Sequence, residues 1–370
     1  MYILIFILIL FVLVLVHEFG HFFAAKKLGM RVDEFGIGFP PRIAGLRRGE
    51  TLYSVNALPL GGFVRIFGED SEDAFDNEDG TERKKDAGRA FSRRPKWAQV
   101  LVLISGILAN ILFAWLLFVI VLSSGILTGV SPEEASPAAE LYILDVLPGS
   151  PAADAGIPAG AVVERLSSAE KRATPQSAEE FSDFIASTNG APVTVEYAYN
   201  GKESDVELMP EKGVLTAGPE KPAIGVSLGL AEIVALPLHT AIAEGFLMTV
   251  RGVRDIATGI FSLIASAVRF DVDLAGVAGP VGIAGLVGDA TALGLVPLLL
   301  FTAFISLNLA VINILPFPAL DGGRLLFVII EAIKGSPIPA KVAYYTNTAG
   351  FAILILLMLA ITYNDIAKLV

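Results

Sequence analysis

The chain of 370 residues contains no cysteine. Disulfides and thiol chemistry are therefore excluded, and any bound metal must draw its ligands from His, Asp or Glu. Histidine is almost as scarce, with three residues, at positions 17, 21 and 239. Long basic runs are missing, and the formal net charge is -11, so nucleic acid is not an expected partner. The stretch from Tyr2 to Val16 has no charge at all. Apolar residues dominate instead, at 54% of the chain with a mean hydropathy of +0.66, both high for a soluble protein.

Directly after that uncharged stretch comes HEFGH at 17–21, and the apolar pattern resumes with Phe22 and Phe23. A signal peptide would need a basic start and a small-residue cleavage site. The start carries no Lys or Arg, no such site follows closely, and cleavage would discard the motif. An uncleaved membrane-spanning helix over 1–24 fits better. Three further spans follow at 96–122, 294–327 and 343–362, each with about 20 apolar residues, as the hydrocarbon requires. A transporter also carries polar residues and broken helices in its spans, but four spans without inverted repeats speak against one.

Charge orients the spans. Loop 25–95 holds 13 Lys and Arg, including Lys26, Lys27, Arg31, Arg93 and Arg94 at the span ends, whereas 123–237 holds only 6. Basic residues stay on the cytoplasmic side. Loop 25–95 is then cytoplasmic, and both termini and the segment after 123 are extracytoplasmic. Within the loop, 35–68 alternates apolar residues and predicts short strands around a Gly61-Gly62 turn, a small sheet at the membrane surface. Residues 69–90 run from acidic to basic and read as a mobile linker. Residues 136–228 predict a β-rich soluble domain with one helix near 176–187, capped by Ser177 with Glu180 three residues on. Over 238–285 the expectation is an interfacial amphipathic helix, bearing Arg251, Arg254 and Asp255, followed by a glycine-rich loop, AGVAGPVGIAG. The fold class is thus an α-helical polytopic membrane protein with four transmembrane helices, a small membrane-associated β-region and an extracytoplasmic β-rich domain.

HEFGH matches H-E-x-x-H, in which two histidines one helical turn apart face one metal ion and the glutamate acts as general base. Ionisable groups in a span are expensive and mark function by default. Two histidines do not complete a catalytic zinc site, which usually takes three protein ligands and a water. His239 falls on the far side of the membrane, so the third ligand should be a carboxylate at the cytoplasmic end of another span. Asp321, in NILPFPALDGG, is at that depth. Pro316 and Pro318 break the helix there, and Gly322 and Gly323 permit tight turns that aim Asp321 inward. Asn308 and Asn313 are costly amides in the third span, which either tie spans together or hydrogen-bond a substrate backbone. Apolar strands near 52–67 offer edges for an unwound substrate segment, with Gly61 and Gly62 beside it.

HEFGH together with NILPFPALDGG resembles the site-2 protease family of intramembrane zinc metalloproteases, in particular its bacterial branch that regulates sigma factors. FGIGFPP at 35–41, LPLGGFVRIFGE at 58–69, AGPVGI at 278–283 and LDGGRLLFVIIEAIKGSPIP at the end of the third span extend the likeness, and LPGSPAADAGIPAGAVV at 147–163 looks like a PDZ motif, present once and with Ala161 where Asp is usual. The resemblance implies one catalytic Zn²⁺ held by His17, His21 and Asp321, with Glu18 catalytic and Asn308 and Asn313 handling substrate. It further implies a PDZ-like domain at 136–228 and a multi-pass protein of the bacterial inner membrane. Its substrates would be single-pass transmembrane proteins, such as anti-sigma factors or remnant signal peptides, first cut by an upstream site-1-type protease and met within the lipid bilayer.

Overall fold

The computed structural model describes residues 2–69, 86–133, 135–199, 201–214, 221–269 and 278–368. Most of the linker expected at 69–90, and the first residues of the expected glycine loop at 275–277, lie outside the described residues. In chain order the elements are α1 (Tyr2–Lys27), β1 (Val32–Arg48), β2 (Thr51–Ile66), α2 (Lys96–Ser124), β3 (Ile126–Gly129), β4 (Glu140–Val146), α3 (Pro151–Asp154), β5 (Val162–Ser167), β6 (Arg172–Ala173), α4 (Ala178–Ser187), β7 (Val193–Tyr199), β8 (Lys202–Leu208), β9 (Val226–Val234), α5 (Leu238–Val268), α6 (Pro280–Ala292), α7 (Leu295–Ile314), α8 (Asp321–Lys334) and α9 (Ala340–Ala367). They form two compact units, one of 1–120 with 238–370 and one of 121–237.

Among the described residues, α1, α2, α7 and α9 are the helices long and apolar enough to cross a membrane. Lys26 and Lys27 end α1, where cations favour both the helix dipole and the interface. The buried residues of α1 are Ile9, Leu13, His17, His21 and Ala25. They stand four apart, so one stripe carries the apolar contacts straight into the two histidines. Its exposed large apolar residues are Tyr2, Ile3, Leu4, Leu8, Phe19 and Phe23.

Within the third segment, 294–327, the break expected at Pro316 and Pro318 separates two helices. α7 stops at Ile314, Leu315 is extended at φ -60° and ψ 138°, and α8 starts anew at Asp321. The residue before a proline disfavours the helical region, and Pro316 follows Leu315. The expected glycine loop is corrected. From Pro280 onward it is helix α6, whose N-terminal amides are capped by another span: Gly279 N–H and Gly282 N–H donate to the Asp365 carboxylate of α9 at 3.1 and 2.8 Å. Glycine's low helix propensity is overridden by that cap and by close packing, since a Cβ at Gly288 would lie 3.2 Å from the Tyr2 ring. α5 is one continuous helix that includes Arg251, Arg254 and Asp255.

The 35–68 segment is a sheet. The chain reverses at Gly49 and Glu50, between β1 and β2, and again between Asn56 and Gly62 within β2, so Gly61-Gly62 stands at the end of a reversal, as expected. Glu34 to Ile37 pair with Arg65 to Gly62 on one side and with Leu52 to Val55 on the other, and Leu52 to Asn56 pair again with Arg47 to Arg42. Residues 52–56 are therefore interior, and the outer segments are 42–48 and 62–66.

The turn is pinned to the end of α1. Glu50 accepts from Arg89 Nη1 and Nη2 at 2.6 and 2.8 Å and from Lys26 Nζ at 2.6 Å. Arg89 foremost, and then Lys26, hold the Glu50 carboxyl down to about 2, against partial burial that pushes it up.

The second unit is a sheet of order β3-β9-β4-β5-β7-β8 with β6 beside β5. Its core includes Ile143, Leu166, Phe181, Ile185, Val193 and Val195. Ser177 caps α4 by accepting from Glu180 N–H at 3.1 Å. Glu180 reaches back to Gln176 N–H at 2.7 Å, one residue beyond the usual capping box. The unit is wider than the 136–228 read from sequence, because β3 and β9 add to it at both ends.

A carboxyl with a depressed pKa contributes stability that is full above its unfolded value and lost as pH falls through its folded one. The melting temperature of the wild-type protein in detergent should thus exceed that of Glu50→Gln at pH 6, with the gap narrowing below about 4.5 and closing near 2. A gap that stays constant across that range would show that Glu50 carries no such role.

Candidate metal centre

Two helices bring the site together. His17 and His21 project from the buried stripe of α1, and Asp321 is the first residue of α8. His17 Nε2 lies 2.8 Å from Asp321 Oδ2, His21 Nε2 lies 3.2 Å from the same oxygen, and the two imidazole nitrogens are 3.1 Å apart. Four tetrahedral ligands about 2.1 Å from zinc stand about 3.4 Å from one another. The observed triangle is slightly tighter than that, and it takes a divalent ion with little movement. Two imidazoles and a carboxylate also form a recognised catalytic zinc ligand set. Among the described residues this trio is the one cluster with metal-ligand geometry. His239 is exposed at the start of α5 and takes no part.

The partners of each histidine settle which nitrogen is free. His21 Nδ1–H donates to the Val102 carbonyl of α2 at 2.8 Å, leaving Nε2 as a lone-pair donor. His17 Nδ1 faces the fully buried carboxamide of Asn110, 3.4 Å from Nδ2, while Asn110 Oδ1 has no partner. A carboxamide presents either atom. Turned over, its Oδ1 accepts from His17 Nδ1–H, and His17 Nε2 then becomes the second free donor. A buried unpaired oxygen costs about 1–3 kcal/mol, so the orphan itself favours the arrangement that suits a metal. Ser306 of α7 donates to the Asn110 backbone carbonyl at 2.8 Å, tying the third span to this point.

Room for the imidazoles comes from Gly106 of α2. A Cβ there would fall 2.4 Å from His21 Nε2 and 2.9 Å from His17 Cε1. Gly20, inside HEFGH, lets α1 reach α2 equally closely, with a Cβ 2.4 Å from the Ser105 carbonyl oxygen. Sequence reading missed Gly106 and Asn110. Their signal was present, as a glycine and an amide four apart in an otherwise apolar span, LISGILAN.

Asp321 is aimed differently from the expectation. Gly322 and Gly323 are helical and make no turn; they matter because α8 passes so near the preceding loop. A Cβ on either would lie 2.2 Å from a backbone oxygen, of Leu315 or of Phe317. The left-handed residue of the loop is Ala319, at φ 73°.

Glu18 is half-buried beside the triangle. Its Oε2 accepts from Val64 N–H of β2 at 3.1 Å, which fixes the carboxylate and leaves its other oxygen available. The outer segment 62–66 therefore runs along α1 at the site. Gly61 and Gly62 are there too: their Cβ positions would fall 2.9 Å from Val14 Cγ1 and 3.9 Å from Glu18 Cγ respectively. Asn308 donates to Phe304 O of its own helix at 2.9 Å and bonds to no other span among the described residues. Asn313 is half-buried and without a hydrogen-bond partner among the described residues.

A helix of membrane-spanning length with paired histidines, completed by a carboxylate some 300 residues away, defines a membrane-embedded metallopeptidase. The chain belongs to Peptidase family M50, whose family model matches residues 5–357, and it is a metalloprotease. Zinc metalloprotease RasP of Geobacillus kaustophilus is 30% identical, covering 98% of this chain and 97% of that protein. The regulator of sigma-W protease RasP of Bacillus subtilis is 28% identical, covering 98% of each. A solved PDZ domain of an SdrC-like protein from Listeria monocytogenes is matched at 24% identity over 26% of this chain and 92% of that one, with a TM-score of 0.21, too slight a likeness to carry an argument.

Removing the partner of a ligating histidine typically costs 10–100-fold in metal affinity. Asn110→Ala should accordingly weaken zinc binding by about that factor in a chelator competition, with helical content unchanged. Wild-type affinity in the variant would mean that Asn110 does not orient His17.

Proposed function

We propose that the chain is an intramembrane zinc protease that hydrolyses peptide bonds in the transmembrane segments of single-pass membrane proteins. The observation that carries this reading is the triangle of His17, His21 and Asp321 with Glu18 beside it, built among helices long enough to cross a bilayer. A zinc ion bound there supplies Lewis acidity toward water and toward the scissile carbonyl. Glu18 takes the proton of the attacking water on its unengaged oxygen and returns it to the departing amine. Its bond to Val64 N–H keeps that oxygen in place. A substrate helix has its amides internally paired and must open before it is cut. Segment 62–66, with Gly61 and Gly62 at its start, is placed to receive the unwound backbone alongside α1, and Asn313 and Asn308 are the amides of α7 available to hold it.

The expected setting is the bacterial inner membrane, with the termini and the 121–237 unit extracytoplasmic. That unit is read as PDZ-like, screening substrates or sensing a new C-terminus. Substrates of the class of anti-sigma factors are suggested by the name of the sigma-W-regulating relative; the same reading extends to remnant signal peptides and to a prior cut by a site-1-type protease.

Purified protein incubated with a single-pass helix should cleave it, and a chelator should abolish cleavage. Glu18→Gln should lower the rate by about 10²–10⁴-fold while zinc stays bound. Chelator-insensitive cleavage, or full activity in the variant, would defeat the reading. Gly61→Val or Gly62→Val should slow cleavage with zinc content unchanged, because a side chain at Gly61 intrudes on Val14 of α1 and one at Gly62 on the Gly36 carbonyl of β1, which the outer segment pairs with. Unaltered turnover would remove these glycines from the substrate path.

A further inference from the structure

We infer that Asn347 and Gly350 of α9 are positioning residues for the third metal ligand, holding the left-handed turn at Ala319 that delivers Asp321 to the two histidines. The inference rests on the metal-site reading above and extends it to the fourth span, which contributes no ligand.

After α7 ends at Ile314, six residues reverse the chain and present Asp321 as the first residue of α8. The loop supports itself poorly. Pro316 and Pro318 have no N–H, and its internal bonds include Phe317 N–H to Leu315 O and Leu320 N–H to Phe317 O. Ala319 sits at φ 73°, a region that residues with a Cβ rarely occupy unless their surroundings enforce it. No glycine stands there to make the turn easy.

The enforcement comes from α9. Asn347 Oδ1 accepts from Ala319 N–H at 3.3 Å. Three residues on, on the same face, Gly350 meets Pro318 so closely that a Cβ would lie 2.5 Å from Pro318 Cβ and 2.7 Å from its carbonyl oxygen. From the other side, Gly322 and Gly323 press the loop against α8. The loop is thus clamped between two close backbone approaches, with Asp321 at its exit.

Lipid does not account for these features. Most of α9 is exposed, and its buried residues are Gly350 and Asp365. Asp365 caps α6. A helix that only filled the bilayer would need neither a buried glycine nor an amide bonded to another segment's backbone. Both coincide with the one loop on which the third ligand depends, and a ligand displaced by about 1 Å no longer completes the site.

The test uses the full-length protein in detergent, with zinc affinity measured by chelator competition and cleavage of a single-pass helix measured in parallel. Gly350→Ala should weaken zinc binding by about tenfold or more and lower kcat with KM unchanged. Ile353→Ala, one turn on at a position 53% exposed, should change neither. Asn347→Ala should weaken zinc binding several-fold, and by less in an Ala319→Gly background, because glycine takes the left-handed turn unaided. That non-additivity is a signature that general destabilisation of α9 would not give. The inference is overturned if Gly350→Ala and Asn347→Ala bind zinc as tightly as wild type, or if Asn347→Ala loses equally in both backgrounds. Should Gly350→Ala fail to fold, the Asn347 cycle decides alone. Wild-type protein that binds no zinc would defeat the metal-site reading itself, a result distinct from tight binding by wild type and variants alike.

Discussion

Asp321 Oδ2 lies 2.8 Å from His17 Nε2 and 3.2 Å from His21 Nε2, and neither side of that contact belongs in a membrane-length bundle without the other. Ionisable groups in hydrocarbon are tolerated when paired or metal-bound. The rest of the first unit is arranged around meeting this condition. The buried stripe of α1 ends in the two histidines, α2 withdraws a side chain at Gly106 to make room for them, and α7 breaks so that a carboxylate can return to their level.

The three residues of the triangle were legible because their chemistry conflicts with their surroundings. HEFGH interrupts an uncharged run, and the shortage of histidine forced the search for a carboxylate at matching depth. Asp321 followed from topology as much as from its motif. The spans were legible from length and composition, and Ser177 from the spacing of a cap. The support of the site was much less so. Asn110 and Gly106 stand in a span that is otherwise almost wholly apolar, where buried and exposed residues share one composition. The stripe on α1 shows the same problem: burial distinguishes Ile9 and Leu13 from Ile3 and Leu8, whereas hydrophobicity does not.

Glycine misled in two places for one reason. Gly322-Gly323 were read as turns, and 275–285 as a loop, because glycine's intrinsic freedom is what a sequence displays. In both the structure uses the missing side chain. α8 approaches the loop before it, and Gly279, at the start of α6, stands against Ile361 and Asp365 of α9. The cap that starts α6 belongs to Asp365, more than eighty residues away, so no local pattern announces it. In the sheet, 62–66 is an outer segment, as expected, whereas 52–56 is interior. Alternation showed that 52–67 is extended, but which strand lies inside depends on a pairing between 34–37 and 52–55 that no single segment encodes.

The two units also differ in what holds them. In 121–237 the strands alternate and bury an ordinary core, as water requires. Between helices in a bilayer there is little hydrophobic driving force, and association falls to close packing at small residues and to polar clasps. Gly20 on Ser105, Gly252 on Leu307, Ser306 on the Asn110 carbonyl and Asp365 on the α6 amides are such contacts. Several of them converge on the metal centre or stand one residue from it. Packing of the helices and the geometry of the His17, His21 and Asp321 triangle therefore share some of the same polar atoms. The fourth span fits that pattern: its amide at Asn347 is one hydrogen bond and two residues from Asp321, which gives an otherwise lipid-exposed helix a place in the geometry of the site.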